Sequence, residues 1–144
     1  VYGSGENVRD WLHVEDHVGG LLAVLDRGRP GETYCLGGRA ERRNIDLVHT
    51  LCAALDVRAP RADGRPHADA IAFVTDRPGH DARYAVDCSK SERELGWQRR
   101  WTFEAGLDAT VGWYLEHRHW LGAVSRERYD GARLGLARTG GQAA

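Results

Sequence analysis

Residues 1–17 constrain most strongly what this chain can fold into, because the backbone must change conformation repeatedly within them. Glycines and an asparagine predict a turn at residues 3–7, and an extended step follows at residues 8–12. A helix starts within residues 13–17, where acidic side chains suit a first helical turn. Arg9 lies between the turn and the helix start, so its guanidinium is held on a frame suited to capturing an anionic group.

The rest of the chain alternates short apolar stretches with amphipathic helical periodicity. Asn44 and Thr102 are predicted helix N-caps, and Gly28 and Gly96 are predicted helix stops. The predicted strands are residues 33–36, which should be buried, 71–74 and 84–86. This alternation is typical of an α/β fold, although the elements are too few for a complete doubly wound sheet. We expect the second half of such a sheet, with a smaller substrate-covering subdomain.

Length and charge exclude several classes of protein. At 144 residues the chain is one domain or part of one. It has no Met and opens within a predicted strand, so we interpret it as the C-terminal part of a longer protein; a complete small domain is the alternative. A net charge of −1 without clustered Lys or Arg argues against nucleic acid as a partner. No apolar run approaches about eighteen residues and no signal peptide is recognisable, so neither a membrane span nor secretion is predicted.

The three cysteines predict no disulfide framework and no metal site. Cys35, Cys52 and Cys88 are far apart and odd in number, so we expect buried free thiols in a reducing cytoplasm. His13 and His17 lie one helical turn apart, but a zinc-protease helix needs Glu directly after the first His, and Val stands there. These histidines are therefore interpreted as part of the helix start, and no metal is expected.

The glycines at the start of the chain resemble a dinucleotide-binding fingerprint only in part. Gly3 and Gly5 begin the pattern GxGxxG, but the third glycine is missing and no predicted helix opens there. We therefore interpret these residues as a turn, and the chain carries no predicted cofactor-binding residue.

A more informative group combines Arg9, Asn44 and the loop around Arg77. Each arginine can bind phosphate oxygens through two N–H groups at once, so a pair of them suits a diphosphate. Asn44 at a helix N-terminus can present its amide, or the helix amides, to the same anion. The loop comprises Asp76, Arg77, Pro78, Gly79 and His80, in which proline and glycine turn the chain sharply.

A plainer alternative for the two arginines is that they form surface ion pairs. The acidic neighbours available in sequence are Asp10 and Glu15 for Arg9, and Asp76 and Asp81 for Arg77. The residues alone leave both interpretations open.

Several separated segments resemble one family in the right order. YGxGxNVRDWLHVEDH in residues 1–17 and DRPGHDxRYAxDxSK within residues 73–97 are the most specific. The other matching segments are residues 28–38, 41–56, 102–120 and 128–136. Together they resemble the dTDP-glucose 4,6-dehydratases, members of the extended short-chain dehydrogenase/reductases. These enzymes usually have Asn at the position of Cys35, and the loop at residues 57–70 is not matched.

The resemblance implies a fold and an activity for the whole enzyme. Residues 1–136 would be the C-terminal portion of an NAD(P)-binding Rossmann-like reductase, with its substrate-binding subdomain, and residues 137–144 a disordered tail. The whole enzyme would oxidise the sugar at C4 with NAD, eliminate water across C5 and C6, and return the hydride to C6. NAD and all catalytic motifs would belong upstream of this chain, which alone would be inactive. A cytoplasmic homodimer is implied for the full-length enzyme.

The resemblance also assigns the substrate-binding residues. Arg9 and Arg77 would bind the diphosphate, and Asn44 the nucleotide end. The other residues implied to lie against the nucleotide-sugar are Val1, Tyr2, Asp76, Pro78, Gly79, His80 and Tyr129. Two alternatives remain open, namely another nucleotide-sugar epimerase or decarboxylase, and a non-catalytic nucleotide-binding module.

Overall fold

The computed structural model describes residues 1–128, including the side chains of residues 1–124. Two compact units are distinguished, Val1–Gly112 and a second unit that begins at Trp113. Tyr129 and the predicted tail at residues 137–144 lie outside the described residues. None of the described helices is both long and apolar enough to cross a membrane.

A small mixed sheet forms the centre of the first unit. Its strands, in spatial order, are β2 (Glu41–Arg43), β1 (Val8–Asp10) and β3 (Arg83–Tyr84). Strand β1 pairs antiparallel with β2 and parallel with β3. Arg9 therefore lies on the middle strand, opposite Arg42 on one side and Tyr84 on the other.

The helices largely follow the predicted pattern. They are α1 (Val14–Arg27), α2 (Asn44–Arg58), α3 (Ser89–Leu95), α4 (Phe103–Glu116) and α5 (Arg118–Arg128), with a 3₁₀ turn at His67–Ala70. The Oγ1 of Thr102 accepts the N–H of Ala105 at 3.2 Å, which confirms the predicted cap of α4. Gly96 ends α3 in the left-handed conformation with φ of 60°, as expected for a helix stop.

The predicted cap of α2 is wrong. Arg43 is the N-cap and contributes no side-chain hydrogen bond, whereas Asn44 is the first residue of the helix. The N–H of Asn44 donates to the carbonyl oxygen of Asn7 at 3.0 Å. The chain therefore satisfies this N–H from the glycine turn, and a side-chain cap is not required.

The predicted buried strand at residues 33–36 is also wrong. This segment has no regular strand pairing within the described residues, and Cys35 is exposed while Cys52 and Cys88 are buried. The carbonyl oxygen of Cys35 accepts the hydroxyl of Ser91 at 2.6 Å. A strand needs a neighbouring strand to satisfy its backbone, and none of those described lies beside this segment. The predicted strand at residues 71–74 is reduced to one bridge between Val74 and Tyr2.

Helix α1 buries an unexpected face. Its buried residues are Asp16, Gly20 and Ala23, whereas Leu22 and Leu25 are exposed. A Cβ on Gly20 would lie 2.6 Å from a methyl carbon of Leu36, so glycine permits the close approach. The core that this face joins consists of Ala23, Cys88, Leu95 and Trp97, with Leu12, Val24, Tyr34 and Leu36 packed around it.

Candidate anion-binding site

Arg9 is held at the middle of the sheet by neutral groups. Its Nη1 donates to the carbonyl oxygen of Val8 at 2.6 Å, and its Nη2 donates to the carbonyl oxygen of Asp81 at 3.0 Å. The same Nη2 lies 2.9 Å from the Nε2 of His80, and the guanidinium carbon lies 4.6 Å from the centre of the Tyr84 ring. These contacts orient the guanidinium while leaving its positive charge without a bound carboxylate.

The predicted loop at residues 75–81 folds back on itself around one carboxylate. Asp76 Oδ1 accepts from the Nδ1 of His80 at 2.6 Å and from the backbone N–H of Arg77 at 2.8 Å. The hydrogen bond from His80 holds the pKa of Asp76 below its usual range, and the Arg77 N–H acts in the same direction. Gly79 has φ of 68°, so the turn requires a conformation that glycine adopts readily. The side chain of His80 is only 6% exposed, which makes it the buried centre of this loop.

The N-terminal segment packs against the same loop. The guanidinium of Arg77 lies 5.5 Å from the centre of the Tyr2 ring, whose edge approaches His80 at 6.4 Å between ring centres. The N–H of Val74 donates to Val1 at 2.8 Å, which anchors the segment. Gly3 has φ of 55°, and a Cβ there would lie 2.9 Å from Asp76 Oδ2. The structure thus places the predicted residues Val1, Tyr2, Arg9, Asp76, Arg77, Pro78, Gly79 and His80 in one region.

Surface ion pairs do not account for the two arginines. Among the described residues, neither Arg9 nor Arg77 forms a salt bridge with a carboxylate, and Arg77 instead lies over an aromatic ring. Asp10 is engaged elsewhere, since its two oxygens accept the backbone N–H groups of Gly38 and Ala40 at 2.8 and 2.7 Å. Glu15 accepts the indole N–H of a tryptophan at 3.0 Å. The ion-pair alternative is therefore wrong for the described part of the chain.

Asn44 reaches the site indirectly. Its backbone N–H binds the Asn7 carbonyl oxygen, and the side-chain amide of Asn7 donates to the Asp81 carbonyl oxygen at 3.1 Å. The Asp81 carbonyl is the same group that accepts from Arg9. Asn44 therefore lies beside the region of Arg9, whereas a contact of its side chain with an anion stays a prediction.

Sequence reasoning missed three residues that shape the site. Asn7 and Asp81 supply the connections just described, and Tyr84 supplies the ring beneath Arg9. The Tyr84 hydroxyl also donates to the carboxylate of Asp81, which raises the pKa of Tyr84. No local signal marks these roles, because the pairing of Tyr84 with Arg9 depends on strands that are 75 positions apart (9 to 84).

The described residues do not suit a dinucleotide or a metal. The turn at Gly3 and Gly5 leads into strand β1 and not into a helix, so it lacks the helix N-terminus that binds a pyrophosphate. Groups of three or more His, Cys, Asp or Glu side chains able to hold a metal ion are absent from the described part of the chain.

Comparison with known proteins identifies the family of this chain. The family model described as GDP-mannose 4,6 dehydratase matches residues 1–110. The dTDP-glucose 4,6-dehydratase of Xanthomonas campestris pv. campestris is 52% identical over 135 residues, which are 94% of this chain but only 38% of that protein.

Solved structures give the same result and confirm the α/β Rossmann-like reductase fold. The dTDP-glucose 4,6-dehydratase of Bacillus anthracis, in complex with NAD, is 42% identical with a TM-score of 0.71, covering 83% of this chain and 35% of that one. The Streptomyces venezuelae enzyme of the same name, with NAD and TYD bound, is 42% identical with a TM-score of 0.73, covering 83% and 34%. This chain spans little more than a third of its relatives, and it belongs to the GDP-mannose 4,6-dehydratase family.

Proposed function

We propose that this chain is the nucleotide-sugar-binding part of an NAD-dependent dTDP-glucose 4,6-dehydratase. Such an enzyme converts dTDP-glucose to dTDP-4-keto-6-deoxyglucose with loss of water. In this proposal the chain binds and orients the substrate and excludes water from it, and has no catalytic residue of its own. The chain alone is then inactive.

The observation that carries the proposal is the state of Arg9. The groups bound to it are carbonyl oxygens, an imidazole and an aromatic ring, all of which are neutral or can be neutral. An oriented cation without a bound carboxylate attracts an anionic ligand, and a guanidinium matches phosphate geometry. Arg77, stacked on Tyr2, adds a second cation to the same region. This pair suits the diphosphate of a nucleotide-sugar.

The remaining site residues receive roles that follow the proposal. Val1 and Tyr2 lie against the nucleotide base, and Asn44 lies at the nucleotide end. The turn at Pro78 and Gly79 lets backbone groups approach the ligand closely. Tyr129 is proposed to reach the nucleotide-sugar as well.

The whole enzyme includes parts that this proposal assigns to the further length of the relatives. Those relatives are nearly three times as long as the aligned stretch, which covers 38% of the Xanthomonas protein. The proposal places NAD and the catalytic groups there. It also makes the whole enzyme a homodimer in the cytoplasm.

A chimaera tests this function. In it, the present chain replaces the aligned stretch of the Xanthomonas campestris relative. We expect the chimaera to convert dTDP-glucose to a product lighter by one water, detected by mass spectrometry. Properly folded chimaera that binds NAD but neither binds nor dehydrates dTDP-glucose would refute the proposal.

Two variants of the chimaera locate the anion site. Arg77→Ala should weaken affinity for dTDP-xylose about tenfold or more, since a hydrogen bond to a charged group is worth about 1.5–3 kcal/mol. dTDP-xylose has no C6 and so cannot lose water across C5 and C6, which makes it a stable probe. Arg93→Ala is the matched control, because Arg93 is exposed and pairs only loosely with Glu94 at 3.5 Å. Equal affinities in the two variants would show that the anion site is misassigned, and NAD affinity should be unchanged in both.

A further inference from the structure

The hydrogen bonds of His80 define its protonation in the unliganded site. An arginine can only donate, so the Nε2 of His80, 2.9 Å from Arg9 Nη2, must accept and carries no proton. The proton is then on Nδ1, which donates to Asp76 at 2.6 Å. His80 is therefore neutral here, with its Nε2 lone pair directed at Arg9.

This arrangement occupies the position on Arg9 that an anion needs. A guanidinium binds two oxygens at once through Nε with Nη2 or through Nη1 with Nη2, so both modes use Nη2. The two N–H bonds of Nη2 are already given to His80 and to the Asp81 carbonyl oxygen. A phosphate can therefore bind Arg9 in two-point fashion only if one of these partners gives way.

The His80 ring is not free to move aside. Its side chain is 6% exposed, and Asp76 holds it at Nδ1. The ring edge of Tyr2 lies against it as well. A neutral ring kept in this place would direct its lone pair at a phosphate oxygen bound to Arg9, and the two would repel each other.

Protonation removes that conflict without moving the ring. We propose that His80 takes up one proton when a diphosphate binds, and that its Nε2–H then donates to the same oxyanion that Arg9 binds. The new N–H bond uses a proton from solvent, the Arg9 Nη2 N–H is released to the ligand, and the proton returns to solvent when the ligand leaves. This inference rests on the proposed function, because it takes the ligand to be a nucleotide-sugar diphosphate.

The surrounding charges favour an imidazolium once an anion is present. The titratable or charged groups that face His80 are Asp76, Arg77 and Asp81 of its own loop, Arg9 of β1, Tyr2 of the N-terminal segment and Tyr84 of β3. Two arginines and two aspartates balance each other in formal charge. Asp76 stays ionised, because the hydrogen bond from His80 lowers its pKa, and it compensates the added charge. Arg9 opposes protonation in the free site, and the bound anion offsets that repulsion.

Calorimetry of the chimaera measures the proton directly. dTDP-xylose is titrated at several values between about pH 6 and 8, in buffers of different ionisation enthalpy. Its diphosphate is a diester, so the ligand takes up no proton in this range. We expect proton uptake of up to one per ligand, and an affinity that rises by up to about tenfold for each unit by which the pH falls.

Two variants separate protonation from a merely structural role. His80→Gln keeps an oxygen that can accept from Arg9 but cannot take up a proton, so proton uptake and the pH dependence of affinity should both disappear. His49→Gln is the matched control, since His49 is exposed on helix α2, and it should behave as the unmodified chimaera.

The outcomes distinguish this inference from the proposed function. If dTDP-xylose fails to bind at every pH, the proposed function fails. If it binds without proton uptake, or if His80→Gln keeps the uptake, the function stands and the role of His80 is overturned. Nitrogen NMR of the unliganded protein gives an independent check, since a proton on Nε2 of His80 at pH 8 would also contradict the inference.

Discussion

Replacing Asp16 with alanine should strongly destabilise the first unit. The Asp16 residue is only 4% exposed, and its two carboxylate oxygens accept the backbone N–H groups of Arg100 and Trp101 at 2.9 and 3.1 Å. The carbonyl oxygen of Asp16 also accepts the indole N–H of Trp97 at 3.0 Å, so this residue fastens helix α1 to the segment that precedes α4. Alanine would leave two N–H groups without their acceptor.

The geometry sets the size of the effect. A hydrogen bond to a charged group contributes about 1.5–3 kcal/mol, and two bonds to one carboxylate are not fully additive, so we expect a loss of about 3–5 kcal/mol. That is a large share of the roughly 5–15 kcal/mol by which a typical domain is stable. Asp16→Asn keeps one acceptor oxygen and should lose about half as much.

Urea unfolding followed by tryptophan fluorescence measures the difference, since Trp97 and Trp101 lie next to the altered residue. Asp26→Ala is the control, because Asp26 is an exposed partner of Arg27 with 71% of its side chain accessible, and it should cost less than about 1 kcal/mol. Equal losses for Asp16→Ala and Asp26→Ala would refute the view that the buried carboxylate anchors α1.

Three further predictions concern the surroundings of the site. Gly38→Ala should destabilise the chain by more than about 2 kcal/mol in urea unfolding, because its Cβ would lie 1.8 Å from a neighbouring backbone oxygen; full stability would contradict this packing. Tyr84→Ala in the chimaera should weaken dTDP-xylose binding about two- to fivefold through loss of the ring beneath Arg9, whereas Tyr84→Phe should not; equal effects would rule out the ring. The pKa of Asp76 is lowered in the folded chain by His80, so its stabilising effect is present above the unfolded value of about 3.9 and is lost as the pH falls through the folded value. Asp76→Asn should therefore lower the free energy of unfolding at pH 7 and have a smaller effect at pH 3, and a constant difference would argue against the linkage.

Local sequence signals predicted most helices and turns of this chain. Glycines set the turn at residues 3–7, Gly96 ends α3, and Thr102 caps α4. These features depend on side chains a few positions away, so the local sequence is sufficient to indicate them. The choice of Arg9 and Arg77 as candidate anion ligands also came from residue chemistry and from the resemblance to a known family.

Other local predictions failed because distant partners decide them. Asn44 was expected to cap α2, but its N–H finds the carbonyl oxygen of Asn7 instead. The apolar periodicity of α1 located the helix and not its buried face, which is set by Asp16, Gly20 and Ala23. The segment at residues 33–36 is apolar enough for a strand, yet strand formation depends on a neighbouring strand.

The sequence by itself therefore determined which residues of the site are cationic, turn-forming or helix-starting, and in which order they occur. Only the tertiary structure decided that Arg9 binds His80, Asp81 and Tyr84, and that Asp10 and Glu15 are engaged elsewhere. The physical reason is the parallel pairing of β1 with β3, whose register sets Arg9 opposite Tyr84. The short stretches at both strands allow many registers, and the choice depends on contacts made across the whole unit.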